Sequence, residues 1–107
     1  MPMTAVEPKI AEGVLEVLRK HDCENEFWAR IELARECFPD IQRMDVRWMP
    51  DPDEEWRTYV GVDVKIGGGR SWSELHALYL GYVDAAVKRF PFRPTPSFVV
   101  TVAGIDE

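Results

Sequence analysis

The sequence predicts an α+β fold: a two-layer α/β sandwich of order ααββαβ, with helices on one face of a mixed three-stranded sheet. An antiparallel hairpin supplies two of those strands and one parallel strand the third. Three observations carry this expectation. Apolar residues recur at helical spacing in three segments, they alternate with polar residues in two adjacent segments between residues 43 and 66, and a β-rich run follows the last helical segment.

The first helix is expected from about Pro8 to His21. Ile10, Val14, Leu15 and Leu18 share one helical face, Pro8 suits a first turn, and Thr4 or Glu7 could cap it. Asp22-Cys23-Glu24-Asn25 interrupts the pattern, and a second face runs through Phe27, Ile31, Ala34 and Phe38 to a stop at Pro39. The shift of the apolar stripe, together with the capping types Asp22 and Asn25, favours two helices over one kinked helix.

Two strands follow. Met44, Val46 and Trp48 alternate with Arg43, Asp45 and Arg47; then Trp56, Thr58, Val60, Val62, Val64 and Ile66 alternate with Arg57, Tyr59, Gly61, Asp63 and Lys65. The intervening Pro50–Glu55 is rich in turn formers and charge, so an antiparallel hairpin is expected. Placing Arg43 opposite Asp63 and Arg47 opposite Tyr59 would satisfy its wetter face.

Gly67-Gly68-Gly69-Arg70 ends the second strand, and Ser71 with Glu74 forms a capping box for a helix. That helix presents Leu75, Leu78, Tyr79, Tyr82, Val83, Ala86, Val87 and Phe90 before Pro91. After an extended connector, Phe92 to Pro96, comes Phe98–Val102, apolar on both faces and therefore expected in the sheet interior or covered on both sides. The intervening helix makes this a right-handed crossover, and hence a strand parallel to the second.

The length of 107 residues implies a single domain over 1–107, and 46% apolar with 30% charged residues is globular composition. The net charge is −6, with nine acids and five bases in the first forty residues and ten and eight in the rest. Neither part has the basic surplus that phosphate neutralisation requires, so nucleic acid is not the expected partner. Apolar runs fall short of the ~20 residues that span a bilayer, and the first residues lack a signal-like pattern, so a cytoplasmic location is expected.

Five groups could carry chemistry. Gly68, Gly69, Arg70 and Ser71 combine glycine amides, a guanidinium and a helix start, as an anion site would, but the spacing of known phosphate-binding loops is missing. Asp51, Asp53, Glu54 and Glu55 alternate like calcium ligands, yet Trp56 and Val62 stand where an EF-hand loop needs Gly and Glu; a solvated tip or a contact for a basic partner remains. His21, Cys23, Cys37 and His76 lack the local pairing that holds zinc, so no metal or cofactor is expected. Arg43, Arg47, Arg57, Tyr59 and Lys65 put bases and one aromatic on the wetter sheet face, relieved by Asp45 and Asp63, which suits ion pairs better than RNA. Arg89, Phe92 and Arg93, beside Phe90, Pro91 and Pro94, have the composition of a docking epitope, or else Phe90 and Phe92 close one end of the core.

The expectation drawn from these features is a non-enzymatic protein-interaction domain, either a homo-oligomer or the partner of a larger protein. The alternative is anion or small-molecule binding at Gly67–Ser71.

Overall fold

A computed structural model describes residues 6–50, 52–53, 57–92 and 96–104. It contains, in chain order, β1 (Lys9–Ile10), α1 (Val14–Lys20), α2 (Glu24–Cys37), β2 (Ile41–Pro50), β3 (Thr58–Ile66), α3 (Trp72–Arg89) and β4 (Ser97–Gly104). The fold is α+β, with three helices and a mixed four-stranded sheet of order β1-β2-β3-β4. The expected order ααββαβ and the three-stranded sheet are therefore corrected by one strand at the start of the chain.

That strand replaces the first turns of the expected helix from Pro8. Lys9 and Ile10 pair in parallel with Asp45 and Val46, and Ala11 N–H donates to the Val46 carbonyl at 2.9 Å. Ile10 packs against the core from the sheet. The helix begins only after Gly13, whose φ of 89° lies in the left-handed region that residues with a Cβ avoid. A Cβ there would also sit 2.7 Å from Trp48 Nε1, which donates to the Glu12 carbonyl at 3.2 Å. Glycine thus permits both the turn and the close passage of the indole, and Trp48 stays partly exposed as the lid of that turn rather than entering the core.

Two separate helices follow, as the shift in register implies. Asp22 adopts φ 53° between them, and α2 starts after Cys23 with no side-chain cap, so neither Asp22 nor Asn25 acts as the cap. The Arg19–Glu24 ion pair, at 2.9 Å, spans the junction. Phe27, Ile31, Leu33, Ala34 and Phe38 bury the inner side of α2. At about 1.5–3 kcal/mol for each large apolar side chain taken out of water, this helix is the main cover of the sheet.

The hairpin of β2 and β3 is antiparallel, as expected, but its register is displaced by two residues: Asp45 faces Asp63, Arg47 faces Gly61 and Arg43 faces Lys65. A shift of two preserves which side chains face the core, so the apolar pattern does not distinguish the two registers. Exposed ion pairs contribute under ~1 kcal/mol each and do not decide between them. The charges find partners without facing one another directly: Arg43 meets Asp45 at 2.7 Å, Arg47 meets Asp63 at 3.3 Å, and Thr101 Oγ1 donates to Asp63 at 2.7 Å.

β4 runs parallel to β3, with Val100 beside Val62, as the crossover implies. It is not interior, however. Among the described residues it is the last strand in the sheet, with a neighbour on one side only. Its apolar content on both faces reflects a strand that carries Phe98, Val100 and Val102 toward the helices while leaving Val99 exposed. Across the strands, Ile10, Val46, Val62 and Val100 form one apolar row in register, facing the same cluster as the buried residues of all three helices.

Gly13→Ala is expected to lower the unfolding free energy by about 1–3 kcal/mol, the range for a side chain forced into a left-handed conformation. Urea unfolding followed by tryptophan fluorescence measures it, and an unchanged midpoint would count against the strained turn.

Candidate binding cleft at the free edge of the sheet

α3 starts on the expected capping box. Ser71 Oγ accepts from Glu74 N–H at 3.2 Å, and Glu74 Oε1 accepts from Ser71 N–H at 3.3 Å. The helix is less buried than its long apolar stripe suggests. Tyr82 and Ala86 are its buried residues, whereas Leu80 and Val87 face solvent. Trp72 at its start is also exposed, stacked on His76 with ring centroids 5.0 Å apart.

Between the second half of α3 and β4 lies a cleft of about 590 Å³. Tyr79, Tyr82, Phe90, Phe92, Phe98 and Val99 give it an aromatic and aliphatic lining, and α2 adds Arg30. Such a volume and lining match the usual dimensions of recognition clefts. The Arg30 guanidinium lies 4.5 Å from the Phe90 ring centroid and 4.7 Å from that of Phe98. Glu26, one turn earlier, neutralises it at 3.0 Å, with both side chains largely buried. One cation thus ties α2 to the end of α3 and to β4 through two aromatic faces.

Tyr82 is 3% exposed and stacks on Phe38 at 5.5 Å, but no hydrogen bond of good geometry reaches its hydroxyl. Burial pushes its phenol above the ordinary value, the nearby Arg30 charge opposing more weakly. The described lining contains hydroxyls and one guanidinium but no carboxylate, imidazole or thiol.

The residues singled out from sequence are scattered over the fold. Gly68 and Gly69 take left-handed φ values of 95° and 59°, and the Arg70 side chain folds back over Gly68. Its guanidinium lies 3.8 Å from the Glu74 carboxylate. Ser71 and Glu74 therefore occupy the helix start themselves, with a negative charge where an anion would sit. Asp53 is exposed at the hairpin tip; Asp51, Glu54, Glu55 and Arg93 lie outside the described residues. Arg89 pairs with Glu36 on α2 at 3.1 Å, beside but not within the cleft lining. Of the described ones, Phe92 enters the cleft, and it does not close the core: it is 90% exposed, while Phe90 packs inward.

Cys23 is buried and its thiol faces the Leu18 carbonyl at 3.6 Å; Cys37 is half-buried, and both are free thiols. Burial and the Glu36 charge raise the Cys37 thiol, with Arg89 pulling the other way. Among the described residues no cluster of His, Cys, Asp and Glu could hold a metal, and no helix is long and apolar enough to cross a membrane. On the open sheet face, the Arg57 guanidinium lies over the Tyr59 ring at 5.4 Å, and Arg43 and Arg47 are matched by Asp45 and Asp63.

Sequence reasoning placed Tyr79, Tyr82 and Val87 in one core stripe and missed the cleft that they border. The available signal was the width of that stripe: with Leu80 added, it exceeds the arc that one sheet can cover. Neither any protein-family model nor any curated protein matches this chain.

Tyr82→Phe is expected to change stability by less than about 1 kcal/mol at neutral pH, because no hydrogen bond is lost. Its effect on pH dependence should be larger. A phenol raised in the folded state adds stability that is complete below its unfolded pKa of about 10. That stability is lost as pH climbs through the folded value. The wild-type unfolding free energy should fall relative to Tyr82→Phe above that pH; parallel curves would contradict the burial of a neutral hydroxyl.

Proposed function

We propose that this protein is a non-enzymatic interaction domain that receives a partner along β4 and in the adjoining cleft. The observation that carries the reading is the exposure of three large apolar side chains around one concavity. Val87, Phe92 and Val99 remain 73%, 90% and 46% exposed, and all three line the cleft beside the free strand. Apolar surface concentrated at a concave site is the usual mark of a contact surface, whereas single exposed apolar residues need no explanation.

The second support is the strand itself. β4 is eight residues long and carries no charged side chain, proline or glycine before Gly104. Among the described residues no backbone hydrogen bond from outside the sheet reaches Val99–Ala103. Native sheets usually blunt such edges with charge or cover them. Strand addition supplies main-chain hydrogen bonds, and the neighbouring cleft supplies side-chain selectivity. The free thiols of Cys23 and Cys37 fit a reducing, cytoplasmic setting. The anion reading of Gly67–Ser71 has less support, because the capping box and Glu74 already satisfy that helix start.

Replacing Phe92 by a photo-crosslinking phenylalanine analogue in the native cell tests the proposal. A discrete adduct is expected from position 92, and none from the same analogue at Lys20, an exposed position at the end of α1. No adduct at 92, or equal yields at both positions, would overturn it.

A further inference from the structure

We infer that the partner at the β4 edge is a second copy of this chain, joined by antiparallel β4–β4 pairing about a twofold axis. The inference rests on the preceding reading of β4 and the cleft as a contact surface, and it assigns the occupant.

The two edges of the sheet are unlike. β1 offers two residues, one of them Lys9, whereas β4 offers eight uncharged ones. Head-to-tail stacking would have to join the long edge to the short one and leave most of β4 uncovered. Pairing β4 with itself matches the lengths and closes after two copies, since an isologous contact uses each surface once. The outer edges of the resulting eight-stranded sheet would be the short, charged β1 strands, which resist further addition.

The side chains are self-complementary in this arrangement. Residues opposite one another must share a face, so the axis lies level with a residue, and pairing the full strand puts it at the middle, beside Val100 or Thr101. Through Val100, Phe98 faces Val102 and Val99 faces Thr101. Through Thr101, Val100 faces Val102 and Val99 faces Ala103. Either choice continues the apolar row toward the helices and an uncharged row on the open face.

Charge points to the same place. Each chain carries −6, so two copies repel over most of their surfaces. Ser97–Gly104 has no charged side chain, and Asp63 behind it is held by Arg47 and Thr101. On the helix beside this edge, Asp84 and Lys88 pair at 2.9 Å and cancel. A neutral strip flanked by exposed Val87 and Phe92 is the complement of an identical neutral strip.

Sedimentation equilibrium of the full chain, at micromolar concentrations, tests the inference. The expected mass is twice 12.3 kDa. Val99→Asp at the strand and Val87→Asp on the exposed side of α3 should each weaken association at least about tenfold, a shift of 1.4 kcal/mol. Circular dichroism should be unchanged in both, and Lys9→Glu at the opposite edge should leave the dimer intact. Amide exchange at Val99–Ala103 should slow as wild-type concentration rises. A monomeric wild type, growth past the dimer, or a dimer indifferent to both edge variants would overturn the second copy. A monomer whose Phe92 crosslinks to a different protein would overturn only the second copy. A monomer without any adduct would remove the contact surface as well.

Discussion

One row of apolar side chains, Ile10, Val46, Val62 and Val100, organises the molecule by crossing all four strands in register. Burial of that row decides which face of each strand turns inward, because a slip of one residue would send the whole set into water. The helices answer to it. α2 lies at the centre of the cover, with Phe27 stacked toward Phe98 of β4 at 6.5 Å and Phe38 toward Tyr82 of α3 at 5.5 Å. The cover thins toward β4, where α3 buries fewer side chains than α2 does. The cleft is the result.

Arg30 holds that thin region together in an unusual way. A guanidinium is weakly hydrated and flat, so it can lie between two rings while its edge pairs with a carboxylate. Here the rings are Phe90 and Phe98 and the carboxylate is Glu26. A buried ion pair of this kind stabilises little, because desolvation offsets most of the attraction. Its role is geometric: it keeps the end of α3 at a set distance from the sheet edge without filling the space between. An aliphatic residue could not make this contact with Glu26.

Much of this fold was legible in the sequence, for identifiable reasons. The period-two alternation of Met44, Val46, Val60, Val62, Val64 and Ile66 marks the hairpin, and Ser71 with Glu74 marks the start of α3 to the residue. β1 was not legible, since two residues cannot display a period and Ile10 also fits a helical stripe. Gly13 was the overlooked signal, a residue unfavourable inside a helix and favourable at a turn. The hairpin register was hidden because two alternatives present the same faces. The cleft was hidden because an apolar residue over a sheet and one overhanging its edge look alike along a chain. Val87 and Val99 differ from Val83 and Val100 only in where the cover stops.

The parallel pairing of β4 also carries a larger entropic cost than the hairpin does. β2 and β3 are joined by a short connection, whereas Thr101 meets Asp63 across 38 residues. Closing the longer loop costs more entropy before any contact rewards it, so the hairpin is the cheaper pairing to close. β4, like β1 at the other edge, has a single neighbouring strand, so native fluctuations can release it without opening the hairpin. Protection of its amides from exchange therefore reports how firmly this edge strand is docked on β3.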